Sequence, residues 1–593
     1  MYFTRREFLK VSAMAACTLV VSTGLSGCND DGDINVAFNH GVASGDPLSD
    51  RVIIWTRITP EESSISSVRV SYQVATDAAF SHITNSGTAT ANSSQDYTVK
   101  IDVQNLLPYT QYYYRFWVGK TYSVTGKAKT LPTASPDQVK MAVFSCSNYP
   151  KGYFNVFSAA AAIDDLDVTL HIGDYIYEYG MYVNDDFTAK VPAYGTEDAI
   201  SIGRALPSDN NTECITLNDY RKRYALYHTD SGMQAIHAAC PMIAVWDDHE
   251  IANDAYKSGA ENHDMTEGSY DDRVAAALQA YFEWIPIRPV SEIKKIYRTF
   301  DFGGLVSLHM LETRLCGRDK QLNYSDYYTP AFDSAAFVAD LTSPARSMIG
   351  SEELAWLQGT LATSSATWQV IGQQVLMGKM NLPAEILGSV AVLQSDSASD
   401  AEKAAAMSAV NTSITELTQI KVRISMGDPT VTSEEAARVN TVLPYNLDAW
   451  DGYYYEREVI YASVRGLDKN LVVLAGDTHN GWASNLKDSS GNQIGVEFAT
   501  SSVSSPGMEE YLAITSTGMA QQLEAALTIL VDDLEYANLN NRGFLVVTFT
   551  AEKAEAQWKY VDSISSTTYN LLTDRETTYQ VFPGSENRTL VRI

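Results

Sequence analysis

Four short apolar runs in this chain each end on residues that bind metal ions. Residues 141–145 (MAVFS) lead into Cys146. Residues 168–172 (VTLHI) lead into Gly173, Asp174 and, three positions on, Tyr177. Residues 242–246 (MIAVW) lead into Asp247, Asp248, His249 and Glu250, and residues 471–475 (LVVLA) into Gly476, Asp477 and His479. Runs of this length and composition read as buried strands. Open α/β sheets bind their ligands at the carboxyl edge of the strands. Gly173 allows a tight turn as its strand ends, and a helical turn after it would put Asp174 and Tyr177 on one face. A single acid after a strand is ordinarily a turn or helix cap. Four strand ends that together carry Cys, Asp, Tyr and His point instead to one shared site.

The rest of the chain reads as an exported protein of more than one domain. At 593 residues it has ample core for two or more domains. Its formal charge of −29 argues against a nucleic-acid-binding surface, which needs basic patches. The same charge repels phosphate at long range, so an anionic substrate requires a local positive source such as bound metal. Residues 1–28 read as a targeting segment and are set aside. Arg5 and Arg6 lie in a stretch (TRREFLK) that resembles a twin-arginine export signal, and Leu25-Ser26-Gly27-Cys28 resembles a lipobox in which Cys28 is lipidated. The apolar stretch 11–24 is short for a membrane span. The expected location is periplasmic or cell-surface, with the membrane reached through lipid on Cys28.

Residues 36–136 read as an all-β domain, with period-two runs at 68–74 and 97–103. The segment 107–112 before the strand 113–118 resembles the corner before the sixth strand of fibronectin type III or Ig-like domains. From 139 to 593 strands alternate with helices, the mark of an α/β fold. Further strands are expected at 306–311 and 368–372, helices at 274–284 and 351–361, and a hairpin at 544–550 and 554–560. Stretches 181–216 and 393–441 read as insertions that control access. If Cys28 is lipidated and Cys146 is a ligand, then Cys214, Cys240 and Cys316 allow at most one disulfide among themselves.

The ligand chemistry divides in two. Cys146, Asp174, Tyr177 and His479 form one set. A phenol has a free pKa of about 10, so a phenolate ligand calls for a strongly Lewis-acidic trivalent ion, iron being the natural candidate. Asp174, Asp248 and Asp477 form a second set of hard oxygen donors suited to Ca²⁺, Mg²⁺ or Mn²⁺. Asp174 belongs to both and would bridge two ions, the arrangement that clamps both oxygens of an in-line displacement at phosphorus.

Ser145-Cys146, Gly173-Asp174-Tyr175-Ile176-Tyr177-Glu178, Trp246-Asp247-Asp248-His249-Glu250 and Gly476-Asp477-Thr478-His479 resemble the motifs of the PhoD-like alkaline phosphatases. These are a branch of the calcineurin-like metallophosphoesterases. Segments 40–47, 52–57 and 445–453 are similar to other parts of that family. The resemblance implies a metallophosphoesterase-type β-sheet sandwich flanked by helices after the all-β domain. It also implies Fe³⁺ on Cys146, Asp174, Tyr177 and His479, and Ca²⁺ on Asp174, Asp248 and Asp477. His249 matches the superfamily histidine that stabilises the transition state or protonates the leaving oxygen. Arg314, in Glu312-Thr313-Arg314 where relatives often carry Asp-Thr-Arg, could hold a phosphate oxygen; a structural ion pair reads equally well. Glu250, Asn253 and Asp254 read as supporting residues. The function expected is hydrolysis of phosphate mono- or diesters, with a metal-held hydroxide attacking phosphorus in line. The alternatives are a phospholipase D-like phosphodiesterase on phospholipids or cell-wall polymers, and a non-catalytic binder of phosphate polymers.

Overall fold

The structure, a computed structural model, describes residues 34–183, 191–328, 332–394 and 398–593. The expected leader at 1–28 lies outside them, as do 184–190 of the first insertion and 395–397 of the second.

Two large sheets form the molecule's centre. The ten-stranded sheet has at its middle Gln138–Phe144, Val168–His171 and Met242–Ala244, all parallel. The seven-stranded sheet has Val306–Met310, Trp368–Gly372, Leu471–Ala475 and Gln493–Ala499, again parallel. Side chains of the second sheet alternate between two cores, as period two requires of a strand covered on both faces. Val370, Val472 and Leu474 join the core shared with the ten-stranded sheet. Ile371, Leu471 and Val473 join the core beneath the helices Gly350–Thr363 and Tyr454–Gly466. Two tryptophans tie the sheets together. Trp368 Nε1 donates to the Thr550 carbonyl at 2.7 Å and Trp558 Nε1 to the Ala499 carbonyl at 2.8 Å. Helices Asn155–Ala161, Leu217–Tyr227, Ser231–Ala239 and Tyr270–Trp284 pack into the ten-stranded sheet's core through Phe157, Tyr224, Ile236 and Leu278. The result is the expected helix-flanked sandwich.

The N-terminal β region divides between two sheets. Ser67–Ala75, Ile83–Asn92, Gln111–Val118, Thr121–Tyr122 and Gly126–Lys129 make a separate five-stranded sheet. Val42–Gly45, Arg51–Arg57 and Thr98–Gln104 extend the ten-stranded sheet, joined to it where Gly45 pairs in parallel with Met242. Trp55 fixes the junction by donating from Nε1 to the Glu283 carbonyl at 2.8 Å. The corner read at 107–112 is formed: the Leu107 N–H donates to Tyr112 Oη at 2.7 Å.

In the second insertion, Asp400–Ser425 and Ser433–Asn440 are helices that open on capping boxes, Ser399 with Glu402 and Thr432 with Glu435. The longer helix buries Ala406, Val410, Leu417 and Ile420 on one stripe. Cys146, Cys214, Cys240 and Cys316 are all free thiols, so the disulfide left open above is not formed.

Candidate metal centre

The carboxyl ends of the parallel strands of both sheets meet. Backbone and side-chain bonds lace them: the Cys146 N–H donates to the Gly173 carbonyl at 3.1 Å, the Asp477 N–H to Ser145 Oγ at 3.2 Å, and Gln374 Nε2 to the Trp246 carbonyl at 2.6 Å. The turns that follow are tight. Cys146, Asp174, Asp477 and His479 all take left-handed backbone angles, with φ of 60°, 55°, 65° and 64°. Such conformations cost of order 1–3 kcal/mol each for non-glycine residues and cluster where function holds them in place. Gly173, at φ 117°, has no room for a side chain, because a Cβ there would stand 2.4 Å from Asp247 Cβ. Gly173→Ala is therefore expected to displace Asp174 and Asp247 together. Metal content should fall in parallel with activity, whereas an alanine variant retaining both would contradict this placement.

The turns bring Cys146, Asp174, His479 and Asp248 together in two overlapping groups, the second completed by His249, which the sequence places as a proton donor, and not by Asp477. Ligand atoms of Cys146, Asp174 and His479 lie within 4.8 Å of one another, and so do those of Asp174, Asp248 and His249. Tyr177 joins the first group, its Oη donating to Asp174 Oδ2 at 3.0 Å and lying 3.1 Å from His479 Nε2. Asp174 is shared, as the sequence predicts. Asp477 stands beside the groups rather than within either, with Oδ1 3.6 Å from Arg314 Nη2, while Asp248 Oδ1 is 3.9 Å from the same nitrogen.

This donor set fits cations. Burial pushes the Asp174 and Asp477 carboxyls well above the usual carboxylate range, and pushes the Cys146 thiol and Tyr177 phenol well above theirs. Asp174 Oδ1 is buried and makes no hydrogen bond, a costly state for an anion that a bound cation relieves. His479 Nε2 faces the same space, while its Nδ1 sits against the Pro506 carbonyl, the arrangement that fixes a ligating tautomer.

His249 is held differently. Its Nδ1 lies 2.7 Å from Glu178 Oε2, which leaves Nε2 available to the site. Glu178 is wholly buried, and its other oxygen accepts from the Asn253 N–H at 2.8 Å and Asn262 Nδ2 at 2.9 Å. Burial alone would lower the imidazole's pKa, but Asp248, Glu178 and Asp174 outweigh it and hold the ring well above its ordinary value. The Tyr177 ring packs on it, centroids 4.2 Å apart.

Arg314 is fully buried among carboxylates. Nε donates to Asp247 Oδ1 and Nη1 to Asp448 Oδ1 at 2.9 Å, while Nη2 lies 2.8 Å from Asp448 Oδ2 without a hydrogen bond. Nη2 is buried and stands 3.6 Å from Asp477 Oδ1, so the guanidinium is tied to Asp247 and Asp448 on one side while one nitrogen stays free toward the site, and the geometry is compatible with both readings left open. Glu250 also supports the site, accepting the N–H groups of Asp174 at 3.1 Å and Asp247 at 2.8 Å.

Sequence reasoning missed several participants. Asp448 lies in segment 445–453, which carried only a resemblance. Ser505 donates to Tyr177 Oη at 2.7 Å, and Tyr194 reaches His479 from the first insertion. Tyr194 follows no apolar strand, and Ser505 lies six residues past the strand Gln493–Ala499 in a serine-rich loop, so neither had a local signal.

Helix-flanked sheets whose strand ends gather acids, histidine and cysteine around a shared carboxylate form a candidate metal site of the kind hydrolases use. Residues 141–558 match the family described as PhoD-like phosphatase, and residues 26–132 match its N-terminal domain. The chain is similar to alkaline phosphatase D of Bacillus subtilis (strain 168), 32% identical over 530 residues that cover 85% of this chain and 77% of the relative. It is also similar to the solved structure described as "Structure of PhoD", with a TM-score of 0.69 and 28% identity, covering 96% of this chain and 93% of that one. The chain belongs to the PhoD-like phosphatase family and, with it, to the phosphoric ester hydrolases.

Proposed function

We propose that this protein is an exported alkaline phosphatase or phosphodiesterase that uses Fe³⁺ held by Cys146, Asp174, Tyr177 and His479 and Ca²⁺ held by Asp174, Asp248 and Asp477. The observation that carries the reading is the Asp174 carboxylate, common to two ligand clusters and buried with one oxygen unpartnered. Bound there, the two cations supply Lewis acidity that neutralises charge on the phosphoryl oxygens and makes water acidic. The chain's own residues do the rest. Glu178 fixes the His249 ring, and Nε2 delivers a proton to the leaving oxygen. Arg314 holds Asp247 and Asp448 in place behind the ligands. The similarity to a protein named alkaline phosphatase D supports phosphate esters as the substrate class.

The test is turnover of 4-nitrophenyl phosphate and bis(4-nitrophenyl) phosphate by purified protein. Activity should disappear on chelation and return with Ca²⁺ alone, because carboxylate-held ions exchange more readily than thiolate-held iron. Undiminished turnover after prolonged chelation would overturn the two-metal reading.

The reading includes a lipid anchor. No helix among the described residues is long and apolar enough to cross a membrane, and Leu25-Ser26-Gly27-Cys28 supports attachment through Cys28. Replacing Arg5 and Arg6 by Lys should block export, and Cys28→Ala should give an unlipidated form, both read by fractionation and mass spectrometry. Normal export of the lysine variant, with Cys28 unmodified in the parent protein, would contradict both.

A further inference from the structure

Two tyrosines beside the metal site have no part in the chemistry above. Tyr179 directly follows Glu178, is half-buried, and packs against His249 with ring centroids 5.2 Å apart at 63°. Tyr194 comes from the first insertion. Its Oη donates to the Pro506 carbonyl at 2.6 Å and lies 2.9 Å from His479 Nδ1, so its ring is held in place and cannot swing freely. That ring lies 6.2 Å from Tyr177 at 30° and 6.1 Å from Tyr179 at 62°. Tyr194 is 38% exposed, whereas Tyr177, Cys146 and Asp174 are buried.

Tyr179 and Tyr194 therefore make two inclined aromatic faces, one over each site histidine. Hydrolysis of a phosphate group needs no ring at either place. The Tyr179 face lies next to His249, where the leaving alcohol sits in the reading above, and Tyr194 continues that wall toward His479.

We propose that Tyr179 and Tyr194 form an aromatic wall that selects phosphate esters whose leaving alcohol carries a planar ring. This rests on the phosphatase reading above and narrows it. A planar ring gains offset-stacked or edge-to-face contact with a fixed tyrosine, which a puckered or polyol group does not. Loss of one stacking side chain typically changes affinity by about 10-fold.

The test compares kcat/KM for benzyl phosphate and cyclohexylmethyl phosphate with the metal-loaded enzyme. Both release a primary alcohol, so the two substrates differ in planarity and hardly at all in leaving-group chemistry. The parent enzyme should favour the benzyl ester by about 10-fold, mainly through KM. Tyr179→Leu and Tyr194→Leu should each reduce that ratio, and the double variant should bring it near unity. Any loss of activity common to both esters cancels in the ratio. Tyr194→Phe, which keeps the ring but loses the Oη contacts that hold it, should keep more of the preference than Tyr194→Leu and less than the parent. A parent ratio near unity, or a ratio unchanged in the double leucine variant, would overturn the wall while leaving the phosphatase reading intact. Turnover of neither ester, with 4-nitrophenyl phosphate also untouched, would reject both.

Discussion

His249→Ala is expected to slow turnover by about 10²–10⁴-fold, the range for a lost general acid, while both metals stay bound. The expectation follows from how the ring is held. Glu178 engages Nδ1, and in the metal-free protein three surrounding carboxylates raise the imidazole's pKa against the effect of burial. The nitrogen left to face the Asp174 and Asp248 carboxylates is Nε2, the position from which a proton can be delivered. Asp248→Asn should behave in the opposite way, weakening metal binding because a negative charge is lost from the oxygen-donor set. Measuring kcat together with metal content separates the two. The proposed role also predicts that His249→Ala costs more with alkyl esters, whose leaving oxygen needs the proton, than with 4-nitrophenyl phosphate, whose leaving group departs without it. Equal losses on both, or loss of metal from the alanine variant, would remove His249 from this role.

Stripping the metals should lower the melting temperature by about 5 °C or more, and the gap should widen as pH rises from 5 to 8. In the metal-free protein burial holds the Asp174 and Asp477 carboxyls well above their unfolded values. The folded chain then binds more protons than the unfolded chain throughout the window between the ordinary carboxylate range and those raised values. Stability is full below that window and falls as pH rises through it. A bound cation favours the ionised carboxylates and removes this dependence. Melting curves of metal-free and loaded protein at several pH values check the sign, and a gap that narrows toward pH 8 would contradict it.

The site was legible because its signals are local. An apolar run that stops on a ligand needs only a few residues to be recognised, and Cys146, Asp174, Asp248 and Asp477 all follow such runs. The strands 368–372 and 471–475 were likewise read to the residue, since buried parallel strands are nearly continuous apolar runs. What escaped depends on distant partners. The union of the N-terminal region with the large sheet turns on Gly45 meeting Met242, and no local pattern announces that pairing. The commitment of Arg314 depends on Asp448, which no strand end marks. Tyr194 lies in a polar insertion without periodicity, and only its contacts with Pro506 and His479 give it meaning.

The central claim is a cation held by phenolate and thiolate next to a second, shared through Asp174. The most direct measurement is metal analysis of protein exported through its own leader, combined with its visible spectrum. Tyr177 and Cys146 are polarisable donors that suit a trivalent transition metal and not Mg²⁺ or Ca²⁺. The protein should contain iron and calcium and be coloured, dithionite should bleach it, and Tyr177→Phe should remove or strongly shift the band. A colourless, fully active protein containing zinc and no iron would contradict the assignment.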